Sequence, residues 1–180
     1  QAASFSFTGS FTQDDDVQLF NFSVGATSMV TLRSYSYAGG TMADGTEISA
    51  GGFDPILALF DSGGGLLEQN DDGTGVATDP VTGSAFDTKL SRSLSPGDYT
   101  VSVMQFNNFA TGGNLSDGFD REGEGNFTPD LAESFGETCG ASAFCDVNGD
   151  ARRAVWAFDI LNVDTAATPG APVPLPATLP

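Results

Sequence analysis

Histidine is absent from the 180 residues, lysine occurs once, and six basic side chains stand against 24 acidic ones, a formal net charge of −18. Each shortage excludes a class of chemistry. Without histidine neither a Ser-His-Asp triad nor a Cys-His pair can be built, and Lys89 stands in no motif that would make it a nucleophile. A surface this acidic repels a phosphate backbone, so nucleic acid is excluded as a partner, and anionic membranes are disfavoured for the same reason. No run of about 18 apolar residues occurs, so no membrane span is expected. Cysteine appears only at Cys139 and Cys145, and no histidine or further cysteine completes the four ligands of a zinc site. The chain opens at Gln1, Ala2 and Ala3 with no initiator Met, the expected appearance of a mature end left by signal-peptide cleavage. In an exported chain, two cysteines six residues apart are expected to close a small loop as a disulfide.

What is abundant points to β-structure. There are 23 glycines and 15 phenylalanines, and 39% of residues are hydrophobic, enough for a core. The length fits one domain. Ser4 to Thr8 alternates polar and aromatic residues, the period of a half-buried strand. Val17 to Val24 reads as a second strand, with Phe20, Phe22 and Val24 on one face, and Met29 to Tyr35 as a third. Ile56 to Phe60 is a continuous apolar run, expected to be a central strand covered on both faces. Gly63-Gly64-Gly65 reads as a hairpin turn, and Ser95-Pro96-Gly97-Asp98 as a turn before the alternating Tyr99 to Val103. Trp156, Phe158 and Ile160 mark the inward face of a last strand. The pattern predicts an all-β sandwich or jelly roll of about eight or more strands and no helix. Residues 111–150 form a long Gly- and Asp-rich loop holding both cysteines. Residues 1–164 are expected to form the domain. Residues 165–180, with five prolines, are expected to form an extended tail that cannot pair as a central strand.

The acidic clusters carry the main chemical signal. Asp146, Asn148 and Asp150 stand at positions 1, 3 and 5 of what begins like a calcium loop, although Ala157 takes the place of the closing glutamate. Asp16, Asp54, Asp71, Asp72 and Asp87 sit in turns or at strand ends. Hard cations take six to eight oxygens, which loops at one end of a sandwich could supply jointly, so these eight residues are the candidate calcium ligands. The competing reading makes them turn formers and solvated charge. Paired carboxylates also serve glycosidases, but the acids here lie in turn contexts, so no enzyme is expected. Sequons occur at Asn21, Asn114 and Asn126.

The tail residues Val173-Pro174-Leu175-Pro176-Ala177 resemble the VPLPA form of the PEP-CTERM sorting signal. In that family the motif precedes a transmembrane helix and a basic cluster and is processed by an exosortase-type enzyme. The stretches at 11–24, 51–64, 70–73, 94–106 and 144–150 are similar to exported bacterial proteins with a pre-peptidase C-terminal-like sandwich. The resemblance implies a secreted or surface-anchored accessory domain without catalytic activity, and makes calcium and extracellular polysaccharide plausible ligands.

Two functions follow as expectations. An extended tail can add to a sheet edge or lie in a groove of another copy, so Val173, Pro174, Leu175 and Pro176 are candidate contacts of a self-assembling surface or matrix filament. A secreted carbohydrate-binding module is the alternative, with Tyr35 and Tyr37 as the aromatic faces for sugar.

Overall fold

The computed structural model describes residues 2–169, so Val173, Pro174, Leu175 and Pro176 lie outside the described residues. Eleven strands follow one another: β1 (Ala3–Ser10), β2 (Val17–Val24), β3 (Ser28–Ser34), β4 (Gly40–Thr41), β5 (Glu47–Ile48), β6 (Pro55–Phe60), β7 (Leu66–Asn70), β8 (Lys89–Leu94), β9 (Gly97–Gln105), β10 (Val155–Val163) and β11 (Thr165–Ala167). They form a four-stranded sheet, β1-β10-β3-β8, a five-stranded sheet, β11-β2-β9-β6-β7, and a two-stranded sheet, β4-β5. Every strand pair is antiparallel.

Alternation builds the core between the sheets. Phe20, Phe22 and Val24 point inward from β2 and meet Trp156, Phe158 and Ile160 from β10 in one buried cluster. The Phe20 ring stacks on Phe158 at 5.3 Å and meets Trp156 edge-on at 5.5 Å. Burying each such ring contributes roughly 1.5–3 kcal/mol.

Strand β6 lacks alternation because both of its faces are covered. Leu57 and Leu59 join the core between the sheets. Ile56, Ala58 and Phe60 face the other way, under Phe106, Phe109, Leu115 and Phe119 from the segment that follows β9. A third small layer lies on the outer face of the first sheet, where Met42 and Ile48 cover Tyr35 and Ala157.

The long loop is more structured than its composition predicts. It contains a helix, α1 (Thr128–Ser134), which the sequence reading did not foresee. Seven residues are too few to show helical periodicity, and Pro129 at its start marks a helix only once the helix is known. The helix buries Leu131 and Ala132. Cys139 and Cys145 are joined as the expected disulfide. Buried Asp14 holds the loop from the opposite side: its carboxylate accepts the amides of Phe127 at 2.8 Å, Thr128 at 3.2 Å and Phe144 at 3.0 Å, and the Thr128 hydroxyl.

The sandwich also runs past the boundary drawn at residue 164. Thr165 and Ala167 pair with Ser23 and Asn21, so the first residues of the expected tail form an edge strand.

Candidate metal centre

The register of two neighbouring strands gathers three carboxylates. Leu57 of β6 lies opposite Asn70 of β7. Asp54, just before β6, and Asp71 and Asp72, just after β7, therefore share one end of the sheet. Their carboxylate oxygens lie within 4.8 Å of one another, and they are the one such acidic group among the described residues. The backbone around them is fixed. Phe106 donates its amide to the Asp54 carbonyl at 2.9 Å, and Gly73 donates to the Asp87 carbonyl at 2.9 Å. Gly73 is required here, because a Cβ at this position would lie 2.5 Å from the backbone nitrogen of Lys89.

Electrostatically the cluster is self-opposed. Asp54 is 3% exposed, Asp71 half-buried and Asp72 exposed. Burial, then the charges of Asp71 and Asp72, push the Asp54 carboxyl well above its ordinary range. Burial and the Asp72 charge push Asp71 up to about 6, and burial raises Asp72. Asp54 Oδ1 has no hydrogen-bond partner among the described residues, and neither does Gln105 Oε1. Gln105 is the register partner of Pro55, on the strand beside Asp54. Buried oxygens without donors are uncommon in folded proteins because each forfeits its hydration. A cation satisfies the Asp54 oxygen, and a donor set of three carboxylates suits a hard ion such as Ca²⁺.

The other expected ligands have different partners. Asp16 accepts the amides of Thr12 and Gln13 at 2.7 and 3.0 Å, closing its own turn. Asp87 accepts the Ser34 hydroxyl at 2.7 Å and the amides of Tyr37 and Ala38 at 3.0 and 2.9 Å. Burial nonetheless outweighs these donors and raises its carboxyl. Asp146 accepts the amides of Asn148 and Asp150, both at 3.0 Å, through Oδ1, and the Tyr37 hydroxyl at 2.6 Å through Oδ2. The segment that begins like a calcium loop is thus held as an Asx-type turn. Asn148 is engaged with Ser84 at 3.3 Å, and the Asp150 carboxyl is raised by burial and by the neighbouring Asp146. Asp87 and Asp146 still lie near enough to Asp54 to help raise it, so several expected acids gather at one end while three of them converge.

Tyr35 and Tyr37 offer no ring face to a sugar. Tyr37 is fully buried, with the Arg152 guanidinium 3.8 Å from its ring centroid and Phe86 at 5.1 Å. Its hydroxyl, held by burial and by Asp146, is pushed well above the usual phenol range. Arg152 ties this corner together, donating to Asp79 at 2.7 Å and to the Gly52 carbonyl at 2.8 Å. Burial opposes the ionisation of Asp79, yet the Val81 amide and Arg152 outweigh it and lower its carboxyl. Tyr35 is buried beneath the outer layer with Arg33 over its ring at 4.5 Å.

All three clustered acids are among the eight expected ligands, and what the sequence did not show is that these three converge. No helix among the described residues is long and apolar enough to cross a membrane. A scan of protein-family models finds no match to this chain, and a search of curated proteins finds none.

Proposed function

We propose that the chain is a non-catalytic extracellular structural module, a self-assembling surface or matrix subunit whose sandwich is stabilised by calcium at Asp54, Asp71 and Asp72. One observation carries the calcium reading: a carboxylate oxygen on Asp54 that is buried, unpartnered and beside two further carboxylates. Protons or a cation must relieve such a cluster, and near neutral pH a divalent ion does so without neutralising the ligands chemically. Burial also places Asp54 out of reach of a substrate, which favours a structural over an acid–base role. Extracellular placement is supported by the disulfide, which persists in oxidising compartments, and by the VPLPA resemblance of residues 173–177. Calcium-dependent structure is at home outside the cell, where extracellular modules bind the ion at roughly 10⁻⁴–10⁻³ M.

The test is thermal unfolding and negative-stain microscopy with calcium and with EDTA. At about a hundredfold excess over Kd, calcium adds about 2.7 kcal/mol, which for a chain of this size raises Tm by roughly 5–10 °C. Regular filaments that dissolve on chelation support the whole reading. An unchanged Tm removes calcium from it, and single particles under both conditions remove assembly.

A further inference from the structure

A groove of about 850 Å³ runs where two edge strands, β1 and β11, come together. Phe5, Tyr99, Ala166, Ala167, Thr168 and Pro169 are among its lining residues. We propose that this groove receives residues 170–180 of a second copy, with Val173 to Ala177 as the anchoring stretch. The inference rests on the self-assembly reading and assigns it a docking site.

Three observations converge on that occupant. The first is chemical fit. The Tyr99 ring is held by stacking on Phe22 at 5.4 Å and by its hydroxyl bond to the Ser95 carbonyl at 2.7 Å, so it presents a fixed aromatic wall. Fixed aromatic walls beside small residues are how proline-rich segments in polyproline conformation are recognised. The groove's size lies within the roughly 300–1,000 Å³ of ordinary binding clefts. Residues 170–180 hold prolines at 172, 174, 176 and 180. Lacking N–H groups at those positions, they suit a groove better than a sheet edge.

The second observation is charge. Copies of a chain with a net charge of −18 repel one another. Residues 170–180 include no charged side chain, so this stretch approaches another copy without that repulsion.

The third is reach. Eleven residues in polyproline conformation extend about 34 Å, beyond the roughly 30 Å diameter of a small domain. The same chain's residues 166–169 already form part of the groove wall.

The experiment uses the full chain with p-benzoylphenylalanine in place of Leu175, mixed with an equal amount of ¹⁵N-labelled full chain, then irradiated and mapped by mass spectrometry. The expected product joins light residue 175 to the heavy peptide containing Tyr99 or to that containing Ala166–Pro169. Thr168→Arg in the heavy copy, which lies outside any strand, should lower that yield about tenfold, and Tyr99→Leu should do the same with a cooperative thermal unfolding transition retained. Light–light product alone places each segment on its own chain and overturns the proposal. Cross-links elsewhere, no cross-links, or a yield unmoved by both variants overturn it as well. Filaments that form without the groove cross-link leave assembly standing and this docking refuted. Single particles with light–light product alone refute both.

Discussion

Asp54 is a residue that the described chain leaves unsatisfied, and its behaviour on substitution separates a ligand from a mere turn residue. Its buried Oδ1 has no donor among the described residues, and two neighbouring carboxylates repel it. Asp54→Asn removes the ionisable group and supplies an NH₂ that can donate to Asp71 or Asp72. In EDTA the variant should therefore melt above the parent, by about 1–3 kcal/mol of added stability. With calcium the order should reverse, because the variant loses the response. A variant that is less stable in EDTA and still responds to calcium refutes the assignment. The pH dependence of the chelated protein follows from the same cluster. Asp71 is raised to about 6 in the folded state, so between about pH 4 and 6 the folded chain holds a proton that the unfolded chain has released. Stability in EDTA should thus fall as pH rises through that window, with Asp54 extending the decline upward, and urea midpoints at pH 5 and 7.5 measure it. The sequence showed these residues only as three of eight candidate ligands. The loop-like spacing at Asp146, Asn148 and Asp150 was the louder signal, yet a carboxylate at position 1 of such a spacing also suits a turn. Which acids converge depends on strand register, and register is not written at any single residue.

At the scale of elements, the strands legible in the sequence are those with one buried face and regular neighbours. β2 occupies the expected residues 17–24, and Trp156, Phe158 and Ile160 point inward from β10 as their alternation requires. β7 and β8 were not foreseen, and both are edge strands. Their segments, LLEQN and KLSRSL, mix charge and apolar residues without clean alternation because an edge is partly solvated. β11 escaped for the same reason, since Thr165–Ala167 reads equally well as the start of a polar tail. The long loop hid its organisation differently: it is held by a residue more than a hundred positions away. Asp14 accepts four donors from Phe127, Thr128 and Phe144, bonds that no local pattern announces. Asp14→Ala leaves these buried donors unpaired and should lower stability by about 3 kcal/mol, read as a shift in the urea midpoint. Amide exchange should quicken first in α1 and around Cys145. If the midpoint stays within about 0.5 kcal/mol of the parent, the loop is held by the disulfide and helix packing instead.

For the whole molecule the governing quantity is a charge of −18 on one sandwich, with Arg152 and Asp79 forming a buried ion pair that neutralises only one acid. Dispersed surface repulsion and the Asp54–Asp71–Asp72 cluster oppose folding by different routes, and salt separates them. Raising ionic strength from about 0.01 to 1 M shortens the screening length from about 30 to 3 Å, which silences repulsion between distant surface acids. Charges packed within 4.8 Å of one another and partly buried are screened far less. In EDTA, Tm should therefore climb with NaCl and level off while the cluster's cost persists. Calcium added on that plateau should still raise Tm, and magnesium at the same concentration should raise it less, because it demands tighter octahedral geometry and gives up water reluctantly. If the calcium increment disappears once NaCl has levelled the curve, or if magnesium reproduces it in full, divalent ions act on this molecule as general counterions. The sandwich then tolerates its buried Asp54 by keeping it protonated, and the three carboxylates at the end of β6 and β7 are a pH-sensitive feature of the fold with no metal to serve.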